Sequence, residues 1–158
     1  MKEVNAIGLD QTAVDPVVAK LEQLLSDYHL FYANLRGLHW NIRGDKFFEL
    51  HELYEEYYNE VAEQIDNIAE RLVQLGATPA SSLSQHLKQS EIKELNNVSN
   101  WLEGVQNVKA TLEFLLAKHR ELIPLALKAN DAGTLSLASH AVKNYEKKLW
   151  MLSAYLAD

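Results

Sequence analysis

Apolar positions along this chain recur every three or four residues, and few stretches alternate with period two, which predicts helices rather than strands. The first stripe is Val17, Val18, Leu21, Leu24, Leu25, Tyr28, Tyr32 and Leu35. Its helix is expected to start at Asp15-Pro16, because Asp caps well and Pro suits the first helical position. It should run to about Ile42 and stop at Gly44. A second helix is expected from about Phe47 to Leu75, closed by Gly76, where a left-handed cap costs nothing. A connector, Ala77 to Asn97, carries Pro79 and several Ser, with a short helix expected at Ser82 to Leu87. A third helix should begin near Asn100, a capping residue, and reach about Ala129 with a bend at Pro124. Asp131 to Thr134 reads as a turn, and a fourth helix is expected over about Leu135 to Leu156. Four helices with one long second-to-third connection predict an all-α four-helix bundle with a crossover, and no internal repeat is visible.

Length and composition narrow the class. The 158 residues suit one domain, with residues 1–14 as an N-terminal extension, and 47 % apolar content excludes a disordered chain. Cys is absent, which excludes disulfide scaffolds, thiolate metal sites and cysteine nucleophiles. No secretory signal opens the chain and no run approaches a membrane span, so a soluble, cytoplasmic protein is expected. The formal net charge of −7 argues against a surface built for nucleic acid.

Candidate chemistry concentrates on the second helix. At roughly 100° per residue, Leu50, Tyr54, Tyr57, Tyr58, Val61, Ile65, Ile68, Leu72 and Leu75 share one arc, the core face. Beside it lies an arc of His51, Glu55, Asp66 and Glu70, all metal-ligand types. A third stripe holds Glu49, Glu52, Glu56, Glu60 and Glu63 with no Lys among them. It reads either as a solvated face or as a surface that collects cations, since like charges at this spacing repel.

The ligand arc is too long for one ion. At ~1.5 Å rise per residue, His51 and Asp66 lie ~22 Å apart along the axis, against metal–ligand bonds of ~2 Å. Either the arc is two unrelated features, or the helix meets its own copy antiparallel across a two-fold axis and each chain supplies half of each site. A di-iron centre inside one bundle needs Glu three residues before His on two helices. The residues at that offset are Ser26, Arg36, Phe48, Leu83, Leu116 and Leu137, so that arrangement is excluded.

The run Asn34-Leu-Arg-Gly-Leu-His39-Trp40-Asn41-Ile-Arg-Gly44, then Phe47-Phe-Glu-Leu-His51-Glu52, Ile65-Asp66-Asn-Ile-Ala-Glu70-Arg71 and Leu75-Gly76, resembles the Dps family of mini-ferritins. The resemblance implies a ferritin-like bundle with a short extra helix in the long connection, assembled as a hollow homododecamer. It implies ferroxidase sites at two-fold interfaces, with Asp66 and Glu70 from one subunit and His39 and His51 from the other. Glu55 stands where the family usually has Asp. Trp40 beside the site is implied as an electron or radical relay, with ordinary interface packing as the alternative.

The implied chemistry is oxidation of Fe²⁺, preferably by H₂O₂ and otherwise by O₂, and storage of ferric mineral. Carboxylate and imidazole suit that metal. The Glu49, Glu52, Glu56, Glu60 and Glu63 stripe would face the cavity and nucleate mineral. Asp131, and less so Glu121, lie where the family builds an acidic pore, although Ala132, Gly133 and Ser136 are not ligands. His29, His86, His119 and His140 have no partner set and read as structural or surface residues. DNA protection in this family usually uses a Lys-rich tail, but residues 1–14 hold one basic residue, Lys2. Two classes follow: an iron-oxidising enzyme and store, or a DNA-compacting shell with secondary metal binding.

Overall fold

The computed structural model describes residues 4–157 and contains five helices. They are α1 (Gln11–Asn41), α2 (Phe47–Gln74), α3 (Leu83–Gln89), α4 (Trp101–Lys128) and α5 (Ala132–Tyr155). Among the described residues the only β feature is an isolated bridge between Val4 and Asp10. Helix α1 pairs with α2 and α4 with α5, α1 also packs on α4, and α3 lies against α1. The expected four-helix bundle with a short helix in its crossover is the fold observed. No helix among these is long and apolar enough to cross a membrane.

Two helix starts differ from expectation. Helix α1 begins at Gln11, because the Asp10 side chain accepts from the Ala13 N–H and caps it a turn before Asp15-Pro16. Pro16 therefore sits inside the helix on its exposed side, and Val14 and Val17 on the opposite side are fully buried. Burying those two valines outweighs the one backbone bond that Pro16 removes. Helix α5 begins at Ala132, three residues before Leu135, because Asp131 is its N-cap. Asn130 takes a left-handed conformation (φ 55°), and the Asp131 N–H then closes on the Ala126 carbonyl at 2.9 Å. One residue thus ends α4 and opens α5. Helix α2 ends as expected, with Gly76 at φ 87° and the Ala77 N–H bonded to the Leu72 carbonyl.

The core is one continuous cluster, from Leu21, Leu24, Leu25 and Leu35 on α1 to Leu112, Leu115 and Leu122 on α4. Of the predicted α2 face, Leu50, Tyr54, Tyr57, Val61, Ile68, Leu72 and Leu75 are buried, while Tyr58 and Ile65 are partly so. The crossover is stitched to α1 by polar side chains. The Asn34 amide donates to the Lys93 carbonyl at 2.8 Å and accepts from the Leu95 N–H at 2.9 Å. The buried Asp27 carboxylate accepts from the Glu91 N–H at 2.8 Å and the Ser90 hydroxyl at 3.0 Å. Burial raises the Asp27 carboxyl above its usual range, and these bonds oppose the rise.

Candidate metal centre

His39, near the end of α1, and His51, one turn into α2, meet across the short α1–α2 connection. Their rings stack with centroids 3.7 Å apart and planes 16° from parallel. Each is wired to the other's backbone: His39 Nδ1 lies 2.7 Å from the His51 carbonyl, and His51 Nδ1 lies 2.8 Å from the His39 carbonyl. A carbonyl can only accept, so each Nδ1 carries the proton and donates. In the neutral imidazole each Nε2 is then an unprotonated lone pair, the form that binds a metal.

Aromatic rings hold this pair from two sides. Phe47 stacks on His51 at 4.9 Å, and Tyr58 meets His39 edge-on at 5.4 Å. Tyr58 also hydrogen-bonds the Glu55 side chain. Arg36 lies between the faces of Tyr32 and Trp40, at 5.1 and 4.9 Å. The periodicity marked Tyr32 and Tyr58 only as core residues, although Tyr58 touches both a His and a carboxylate of the ligand arc. A phenol placed one turn after a ligand-type Glu was the signal available.

The structure brings His39 and His51 together and leaves Asp66 and Glu70 exposed further along α2. Among the described residues, no three His, Asp or Glu side chains converge to hold an ion. The single chain therefore holds two separate groups of ligand-type side chains, His39 and His51 at the α1–α2 junction and Asp66 and Glu70 further along α2. Next to the imidazoles, Trp40 is 65 % exposed and Phe48 is 80 % exposed. Large aromatic surfaces left open beside a half-set of ligands fit a face that a second chain covers.

The Glu stripe is less free than its composition suggested. Glu49 accepts from the Tyr155 hydroxyl at 2.6 Å, which lowers its carboxyl below the usual range. Glu60 pairs with Lys148 at 3.0 Å, and the Lys148 ammonium also sits 3.8 Å over the Tyr57 ring. Glu52, Glu56 and Glu63 are exposed. Helix α5 supplies the basic residues that the stripe lacks, and Lys143, Lys147 and His140 line a groove with Glu60 and Glu63.

The two residues read as pore candidates are committed within the chain. Asp131 is buried, caps Thr134 and pairs with Arg71 at 2.5 Å. Gly133 makes room for that ion pair, since a Cβ there would stand 2.8 Å from the Arg71 guanidinium. Glu121 is exposed and bridges to Lys20. Of the other histidines, His86 and His119 are buried, His29 is half-buried and His140 is exposed.

A bundle crossed by one long connection, with ligand-type side chains on its second helix, defines a ferritin-like protein. The Ferritin-like domain family accordingly matches residues 18–158. The DNA protection during starvation protein of Porphyromonas gingivalis is 43% identical over 154 residues, covering 98% of this chain and 97% of that protein. The solved Dps protein of Vibrio cholerae, described as a member of a broad superfamily of ferritin-like diiron-carboxylate proteins, superposes with a TM-score of 0.95. It is 40% identical and covers 98% of this chain and 97% of its own. A Dps protein from Bacillus brevis superposes with a TM-score of 0.89 at 30% identity, covering 92% and 98%. The chain belongs to the Dps branch of the ferritin-like family.

Proposed function

We propose that this chain oxidises Fe²⁺ at sites shared between two copies and stores the ferric product inside a hollow dodecamer. The observation that carries the reading is the reciprocal wiring of His39 and His51. It frees both Nε2 lone pairs at one end of α2, while Asp66 and Glu70 lie ~22 and ~28 Å away along the same helix. An antiparallel copy of α2 brings the missing carboxylates to the imidazoles. Imidazole lone pairs lie in the ring plane, and these planes are 16° from parallel, so one ion does not sit on both. The pair suits two ions side by side, one per imidazole. Glu55, held by Tyr58, is within one turn of His51 and supplies a further carboxylate.

The substrate is Fe²⁺ and the oxidant H₂O₂, with O₂ as the slower alternative. One peroxide takes one electron from each of two Fe²⁺ ions and two protons, and leaves as two waters. Placing two ions together lets both electrons pass at once, so hydroxyl radical is not released. Exposed Glu52, Glu56 and Glu63 are the nucleation residues of this reading. Glu49 and Glu60, already bonded within the chain, contribute less. The sequence name of the Porphyromonas relative speaks of DNA protection. In this acidic chain, protection acts through removal of Fe²⁺ and peroxide rather than through contact with DNA.

Complementation across the interface tests the shared site. Asp66→Asn breaks one half-set and His51→Gly the other. Each variant alone loses the fast ferric absorbance phase. In a dimer with one of each, one site inherits both lesions and the other none. Mixtures dissociated and reassembled together therefore regain activity, up to about half the wild-type sites in purely mixed dimers. No gain over the unmixed variants, with reassembly confirmed by light scattering, overturns the shared site.

A further inference from the structure

Three polar side chains sit in the bundle core, away from the metal-ligand face. The Tyr28 hydroxyl lies 2.7 Å from His119 Nε2 and is also bonded to the Tyr145 hydroxyl. Tyr28 and His119 are fully buried and Tyr145 nearly so. His119 Nδ1 is buried with no partner. A phenol is the stronger acid and an imidazole nitrogen the stronger base. Tyr28 therefore donates to Nε2 and accepts from Tyr145, and His119 Nδ1 keeps its own proton. Burial lowers the His119 imidazole to about 4, so it starts neutral, and raises both phenols, so they start protonated. The group is a buried phenol hydrogen-bonded to an empty base.

A file of rings connects this group to the imidazole pair. His39 meets Tyr58 edge-on at 5.4 Å, and Tyr58 meets Tyr32 edge-on at 5.9 Å. Tyr32 and Tyr28 are neighbours one helical turn apart on α1. The file runs from a half-exposed surface, where Tyr58 has the Glu55 carboxylate beside it, to Tyr28, whose proton acceptor is buried in the core.

We infer that Tyr28, with His119 as its base and Tyr145 as its hydrogen-bond donor, is a redox-active tyrosine that takes up stray one-electron oxidising equivalents. The inference rests on the metal-centre reading for the source of the oxidant, a hydroxyl radical made from peroxide and one Fe²⁺. The electron leaves Tyr28 along Tyr32 and Tyr58 and reduces the radical to hydroxide. The Tyr28 phenolic O–H bond breaks, and its proton forms an N–H bond at His119 Nε2. What remains is a neutral phenoxyl at Tyr28 and an imidazolium at His119. An electron from a further Fe²⁺ returns by the same file, the proton moves back to oxygen, and the cycle closes with that iron oxidised. At Tyr58 the acceptor is the exposed Glu55 carboxylate, so a radical there stands at the solvent boundary and is open to irreversible chemistry.

The test omits iron, so that its failure is separate from failure of the ferroxidase reading. A flash-generated ruthenium(III) photo-oxidant is applied to the assembled, metal-free protein, and the radical is followed by freeze-quench electron paramagnetic resonance. A tyrosyl signal is expected that decays at least about tenfold faster in His119→Gln and disappears from the long-lived fraction in Tyr28→Phe. A high-field spectrum of the unaltered protein needs no variant. A phenoxyl oxygen with hydrogen-bond donors at both partners has a lowered gx, which is the expected result. The gx of a phenoxyl without hydrogen bonds, or equal lifetimes in the unaltered protein and both variants, overturns the proposal.

Discussion

The chain contains two stacked histidine pairs with nearly the same ring geometry. His39 and His51 lie 3.7 Å apart at 16°, and His29 and His86 lie 3.8 Å apart at 15°. Their partners and surroundings separate them. Both Nδ1 atoms of the first pair face backbone carbonyls, which fixes the proton on Nδ1 and frees Nε2. In the second pair, His86 Nδ1 donates to the Ser26 hydroxyl at 3.1 Å, because that hydroxyl has only one proton to give elsewhere. The Ser26 hydroxyl also donates to Gln89 at 3.0 Å, so His86 ties α3 to α1. Burial lowers both His29 and His86. Stacking alone therefore does not make a metal site. Nor does a proton fixed on Nδ1, since His86 has one too; what differs is the place, a tie between α3 and α1 against an open face beside Trp40 and Phe48.

Substituting each pair in turn breaks the comparison most sharply. His39→Ala and His51→Ala should each slow the fast ferric phase by about 100-fold or more, since even residues behind a metal ligand are worth ~10–100-fold. His29→Ala should leave it within about twofold, the scatter of a surface change. Stopped-flow absorbance after Fe²⁺ and peroxide checks both, and a comparable loss in His29→Ala would erase the distinction.

Stability should rank the pairs the other way. His86→Ala removes a buried ring and its bond to Ser26, and should cost ~1–3 kcal/mol in urea unfolding. His39→Ala in metal-free protein should cost less, because its ring lies beside an open face. Equal losses would mean that the first pair also carries the fold.

Acid should sharpen the contrast between buried neutral histidines and buried carboxylates. His119 titrates at about 4 when folded, against 6.5 for a free imidazole. The unfolded chain takes its proton near pH 6.5 and the folded chain near 4, so lowering pH across that window favours unfolding. The full loss attributable to His119 is about 3 kcal/mol, reached below both values. His29 and His86 act in the same direction. Asp27 acts in the opposite one, because its raised carboxyl is relieved by protonation in the folded state. Urea midpoints between pH 7 and 4.5 should fall less steeply for His119→Gln than for the unaltered protein, and identical slopes would remove His119 from the balance.

The smallest expected effect is on DNA. At physiological salt without divalent ions, the assembled protein should leave duplex DNA unretarded in a gel, because phosphate binding rests on clustered Lys and Arg.

Much of this molecule was legible in its sequence. The apolar arc of α2 gave its buried face nearly residue for residue, because one helix repeats one geometry. The split of the ligand arc followed from helical rise alone. Features that depend on distant residues were hidden. Lys148 neutralises Glu60 from 88 residues away, so the Glu stripe looked unopposed. The reciprocal bonds of His39 and His51 use backbone carbonyls, which no side-chain pattern marks. Asp10 and Asp15-Pro16 were competing start signals for α1, and burial of Val14 and Val17 decided between them. Asp131 read as a turn residue near a pore because Arg71, its partner, lies on another helix.

The crossover held by Asp27 and Asn34 gives a segment without regular structure the exchange behaviour of a core. Its amides at Glu91 and Leu95 are bonded to side chains of α1 rather than to water. Deuterium should reach them only when α1 itself lets go, on the timescale of the bundle's own opening. A protease that finds the exposed crossover would likewise find its backbone already occupied, so the longest connection in the chain need not be the first place it is cut.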